Sequence, residues 1–237
     1  MLPKLETPTY KFTLPSTGKP ITLRPYTVGE EKVLLTALEG GSEEEMEQAC
    51  LELLRVCVSG VEVEDLLSFD VVYLIIQLRS KSLGNEMDLM YESRDCTPEE
   101  EGGQCPDHLT MKVNLDQVEM EVKETTKVID LTPSISVEVG YLKYVDYAAS
   151  LHMTQAESNE YQIRKSIRKV FDSENVYTDF SEEDIIEFVN GMSIAQKTEI
   201  VNFLKTTPNV KYESKIKCDV CGAEGDIKLE GLFDFFG

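Results

Sequence analysis

Hydrophobic and polar positions change period several times along the chain, and each change marks an element. Within residues 1–26, YKFTL and ITLRPY alternate on a period of two around Ser16-Thr17-Gly18, which predicts a two-stranded hairpin. Thr27-x-x-Glu30 is then a capping box, in which hydroxyl and carboxylate satisfy the open N–H groups of a helix start. It predicts a helix over 28–38, ended by Gly40-Gly41. Ser42-Glu43-Glu44-Glu45 repeats the signal, and Met46, Ala49, Cys50, Leu53 and Cys57 follow at helical spacing. Cys50 and Cys57 therefore lie on an apolar stripe and read as core thiols. FDVVYLIIQLRSKSL predicts a helix over 69–83, with Ser68 as its cap and Gly84 just beyond its end. Its first ten residues are apolar nearly all round, the pattern of a helix buried against several neighbours.

Beyond it, EMDLMYES and LTMKVNL alternate again and predict a hairpin over 86–115, interrupted by the acidic, Gly-containing TPEEEGGQ. After residue 122 the pattern weakens, with a short strand at KVIDL and Pro133 as punctuation. Helices are expected over 140–150, 156–171, 181–190 and 194–206, the last two opened by Ser181-x-x-Asp184 and Ser193-x-x-Gln196. Pro208 closes the run, and KYESKIK with GDIKLEG predicts a final hairpin from 211. The fold class is α+β and mostly helical. Its parts are an N-terminal hairpin arm over 1–26, a helical core over 27–84 and a helical region over 126–210. A β subdomain is divided between 85–125 and 211–237, the latter ending in an apolar tail.

With 237 residues, 41% of them apolar, the chain can bury a sizeable core as one domain or two. A formal net charge of −21 opposes contact with nucleic acid and with anionic membrane surfaces. No apolar run approaches the length of a bilayer span, and MLPKLETPTYKF has no signal-peptide core. The expectation is synthesis in a cytoplasm, where clustered cysteines are metal ligands more often than disulfides.

Four cysteines change the picture. Cys218-Asp219-Val220-Cys221-Gly222 has the form of a zinc knuckle, two thiolates with a glycine that lets the backbone turn around them. Cys96 and Cys105 sit farther apart, in the loop of the other hairpin. Two pairs on two hairpins predict one zinc ribbon with a single structural zinc, the alternatives being a disulfide or unpaired thiols. His108 could replace Cys105 as a ligand. Four thiolates would close the coordination sphere, leaving no open position for catalytic water.

Enzymatic readings find little support: Walker A, G-x-G-x-x-G, G-x-S-x-G and H-E-x-x-H are absent, and the histidines are two, His108 and His152. The carboxylate runs 43–45, 99–101 and 182–184 fall at expected helix starts or loop tips, where solvation or the helix dipole explains them. A redox role for Cys-x-x-Cys would require a helix after it, whereas GDIKLEG reads as strand. Arg164, Lys165, Arg168 and Lys169 form a basic cluster, a solvated helix face with Ile163, Ile167 and Val170 as its buried stripe, or a docking surface for an acidic partner. Leu232, Phe233, Phe235 and Phe236 make the tail too apolar to remain in water, so it packs back on the chain or anchors in another subunit.

LPSTGKPITLRPYTVGEEKVLL, FDVVYLIIQLRSKSLGNEM, the Cys96 and Cys105 hairpin, and CDVCG followed by LEGLFDFF together resemble the baseplate hub subunit, or hub-assembly protein, of T-even-like contractile-tailed bacteriophages. These pieces spread over most of the chain, while 120–180 adds little. The resemblance implies a non-enzymatic tail protein, made in the host cytoplasm and working in the virion with other hub proteins near the tail tube and tape-measure protein. It would be either a retained subunit or a transient assembly factor. The charged positions of the first two segments, Arg24 and Glu30-Glu31-Lys32 with Arg79 and Lys81, are expected to form a salt bridge between the segments, the alternative being contact with a partner.

Overall fold

The computed structural model describes residues 3, 5–40, 42–92, 105–106, 108–118 and 120–230. β1 (Tyr10–Thr13) and β2 (Pro20–Leu23) pair antiparallel with Tyr10 opposite Leu23. Their turn is closed by Gly18 N donating to Leu14 O at 2.8 Å, and Gly18 takes the φ of +69° that a Cβ would disfavour. α1 (Val28–Gly40) opens with the reciprocal contacts its sequence foretold: Thr27 N donates to Glu30 Oε2 at 2.7 Å and Glu30 N to Thr27 Oγ1 at 3.4 Å. α2 (Glu43–Cys57) is capped by Ser42 Oγ, which accepts from Glu45 N at 3.1 Å. Its stripe of Met46, Ala49, Cys50, Leu53 and Cys57 is buried throughout. β3 (Val58–Ser59) then joins β2 as a third strand too short to leave a pattern in the sequence.

α3 (Ser68–Leu83) starts one residue before the expected point, so Ser68 lies inside it and Leu67 occupies the cap position. The side chain that serves this start is Asp70, whose carboxylate accepts from Leu67 N at 3.3 Å and, from the hairpin turn, Ser16 N at 3.0 Å. Gly84 ends the helix with φ of +108°. The salt bridge expected between the two signature segments is absent among the described residues. Arg24 instead forms a two-pronged pair with Glu30 of its own segment, at 2.7 and 3.0 Å, because the capping geometry already holds that carboxylate beside it. The segments meet through Tyr26 N donating to Ser82 Oγ at 3.1 Å and Ser16 N to Asp70 Oδ1 at 3.0 Å, while the Lys81 ammonium reaches back to β1, 5.9 Å from the Tyr10 ring.

β4 (Glu86–Glu92) and β5 (His108–Asn114) form the expected hairpin. The next stretch departs most from expectation. β6 (Thr126–Thr132), β7 (Ile135–Gly140), β8 (Ile167–Phe171) and β9 (Val176–Tyr177) make a four-stranded antiparallel sheet in that order. Helices α4 (Tyr144–Leu151) and α5 (Gln155–Ser166) lie between β7 and β8. The helix expected over 156–171 thus stops at Ser166, and its last five residues become strand. IRKVF satisfies both periods, and pairing with β7, Val137 opposite Val170, decides the outcome where propensity cannot. α6 (Glu182–Asn190) and α7 (Ile194–Leu204) start at the capping boxes read from sequence, with Asp184 N donating to Ser181 Oγ at 3.1 Å and Gln196 N to Ser193 Oγ at 3.3 Å. β10 (Lys211–Lys217) and β11 (Glu224–Glu230) close the described chain as a second hairpin.

Among the described residues three apolar clusters form the core, and α3 supplies residues to each. Val71, Leu74, Ile75 and Leu78 pack with Leu23, Leu34 and Leu54 of the N-terminal elements. Phe69 packs with Val137, Val139, Ile163, Ile200 and Phe203, its ring edge-on to Tyr141 at 5.9 Å. Ile76 packs with Met87, Val113, Ile216 and Leu229 of the two hairpins. The helix apolar on all sides is the one that touches all three clusters, as its sequence required.

Candidate metal centre

Strand phase brings the thiols together. In β4 and β5 the inward positions are Met87, Leu89 and Tyr91 facing Leu109, Met111 and Val113; in β10 they are Tyr212, Ser214 and Ile216. Two residues on, in the same phase, stands Cys218, only 1% exposed. The apolar faces of the hairpins pack against each other in the cluster that holds Ile76 at its base. Toward the tips they close further: a Cβ on Gly225 of β11 would fall 3.1 Å from the Tyr91 ring of β4, so the glycine is what admits the ring. This contact was not legible in the sequence, where Gly225 reads only as the first residue of the strand GDIKLEG.

At the tip, Cys218 N donates to Ala223 O at 2.8 Å and Gly222 N to Cys218 O at 2.9 Å, with Gly222 at φ +75°. This tight turn folds Cys221 back toward Cys218. Cys105, arriving from the other hairpin, completes a group whose three sulfurs all lie within 4.8 Å of one another. None of the three is in a disulfide; Cys218 is buried and the other two are half-buried. Burial, then hydrogen bonding with the Cys221 and Cys218 thiols, pushes Cys105 up to about 12. Protonated thiols crowded in this way lose their protons to a bound cation.

The donor set fits a thiophilic metal. Zinc–thiolate bonds of about 2.3 Å in a tetrahedron set sulfurs about 3.8 Å apart, within the span observed. His108 opens β5 opposite Glu92 and lies outside the thiol group, so it does not take the place of Cys105. Cys96, the expected fourth ligand, lies outside the described residues, as do Leu232, Phe233, Phe235 and Phe236 of the tail.

The basic residues separate onto two elements. Arg164 and Lys165 end α5; Arg168 and Lys169 belong to β8, so the four do not share one helix face. Arg164 pairs with Glu182 and, at 3.6 Å, with Glu160. Lys165 reaches Glu182 at 3.7 Å, and both cations lie over the Tyr161 ring. Arg168 donates to Tyr141 O at 2.6 Å and Lys165 O at 3.0 Å, while Lys169 pairs with Glu138 at 3.1 Å. Each of these cations thus has a partner within the chain. No helix among the described residues is long and apolar enough to cross a membrane.

A family model described as T4 bacteriophage base plate protein matches residues 7–237. No curated protein and no solved structure matches the chain.

Proposed function

The chain belongs to the T4 bacteriophage base plate protein family, whose place is the virion tail, and from that premise we propose that it is a non-enzymatic structural component of the baseplate hub. In this reading it binds other hub proteins and the tail tube or tape-measure protein, through surfaces held in place by one structural zinc per chain. The observation that carries the structural role of the metal is the position of the thiols. Cys105, Cys218 and Cys221 lie at the joined tips of two packed hairpins, where a bound ion links chain segments. These three, with Cys96 proposed as the fourth, would hold the zinc, which supplies a cross-link when bound. Tyr91 against Gly225 keeps the hairpins in register beneath it, and the Gly222 turn presents two of the sulfurs.

Metal analysis of purified protein tests the centre, with about one zinc per chain expected. Mass spectrometry of purified virions tests the role, because a baseplate subunit stays in the mature particle. The second reading, a transient assembly factor for the hub, is favoured by the net charge of −21, which keeps a free protein soluble. Absence of the chain from virions would select it. If the chain is present in virions, cross-linking in intact tails identifies the neighbours of the retained subunit.

A further inference from the structure

α1 is apolar on more than one side. It buries Leu34 and Ala37, yet leaves Val33 and Leu35 exposed at 42% and 49%. Val33, Ala37 and Gly40 follow one another at helical spacing along one wall of a groove of about 660 Å³ between α1 and α2, and Ala49 floors it from the other side. The stretch from residue 33 to 40 spans about 10 Å of helix axis, room for about two turns of a second helix. Ala37 and Ala49 keep the floor of the groove low, and at its far end the Glu45 carboxylate lies over Gly40, where a Cβ would collide with it.

The rim decides what fits. Glu44, Glu45 and Glu52 border the groove, with Lys32 the opposing charge, and the last turn of α1 carries no basic residue to offset its negative dipole end. We propose that this groove seats a basic amphipathic helix of a partner protein, its apolar residues at i, i+3/i+4 and i+7 on Val33, Ala37 and Ala49 and its Lys or Arg side chains on the glutamate rim. A second copy of the chain fits poorly, since a two-fold contact would set the same glutamates against each other. The apolar tail is also the wrong sign, because LFDFF carries an aspartate and no cation. The inference extends the reading of the chain as a component that binds neighbouring tail proteins, and it does not depend on the metal centre.

The test uses the full chain and two fluorescein-labelled probe helices of about 18 residues, identical in their Leu and Ala stripe but flanked by Lys in one and Glu in the other. Fluorescence anisotropy should show the Lys-flanked probe binding at least about tenfold more tightly, less so at high salt. Val33→Asp and Glu52→Lys should each weaken it at least about fivefold without changing the melting temperature, whereas Glu183→Lys, the same charge change on α6, should alter it less than about twofold. Equal weakening by Glu183→Lys would reduce the effect to general charge attraction and overturn the proposal. Absence of binding would overturn it too. So would a dimer by light scattering that Val33→Asp makes monomeric, which assigns the groove to a second copy. Binding that appears only after Phe235→Asp and Phe236→Asp would assign it to the tail. Presence of the chain in virions and its zinc content are separate measurements, so this inference can fail while the baseplate reading stands.

Discussion

Single side chains in this protein act through what surrounds them. Cys50 and Cys57 are buried among aliphatic neighbours, which pushes their thiols up to about 12 and about 11, and they serve as small core residues. Cys218 is as deeply buried but faces two other sulfurs, so its removal should have a different consequence. Cys218→Ser is expected to abolish bound zinc and expose the β10–β11 hairpin to protease, since metal binding at such sites contributes ~10 kcal/mol or more of apparent folding free energy. Limited proteolysis with metal analysis would read both. Glu30 offers a titratable case. The hydrogen-bonded Arg24 guanidinium holds its carboxyl down, from an ordinary 4.5 to about 2, aided by the Thr27 amide. A depressed carboxyl stabilises the fold fully above its ordinary value and loses that contribution as pH falls through the folded one. Glu30→Gln should therefore cost on the order of 1 kcal/mol near neutral pH, with the difference from wild type disappearing between about pH 4.5 and 2 in denaturant titrations.

Among the elements, the two hairpins depend on each other through one missing side chain. Gly225→Ala would place a methyl group against the Tyr91 ring, and the resulting overpacking is expected to cost about 1–3 kcal/mol and weaken metal retention against a chelator. Tyr91→Ala should relieve the clash, so the double variant should hold zinc better than Gly225→Ala alone. The elements differed in how openly the sequence displayed them. The starts of α1, α2, α6 and α7 were legible because a hydroxyl that accepts from the amide three residues on is a local signal, confined to four residues. The Cys-x-x-Cys turn was legible for the same reason. β7 and β8 were not, because a strand of five or six residues is stabilised by a partner that sequence does not show; Val139 pairs with Ile167 across two intervening helices. The same limit hid the approach of Tyr91 to Gly225 and the reach of Asp70 to Ser16, each of which crosses between distant segments.

For the molecule as a whole, α3 sets the degree of cooperativity. Because Leu74, Phe69 and Ile76 belong to three different clusters, loosening any cluster disturbs a helix the other two require. Leu74→Ala is expected to cost about 2–5 kcal/mol and to lower the stability of the β4–β5 and β10–β11 hairpins along with the N-terminal elements. Hydrogen exchange would show this as a common loss of protection, and a loss confined to α1 and α2 would mean that the clusters unfold separately. The thiol group carries a consequence in time as well as in space. Cys105 is synthesised roughly 110 residues before its sulfur partners, an interval of about 5–20 s at ordinary translation rates. Throughout that interval the β4–β5 hairpin exists without the apolar face that will cover it. The nascent chain is therefore most vulnerable to aggregation and protease while the ribosome is still working toward Cys218.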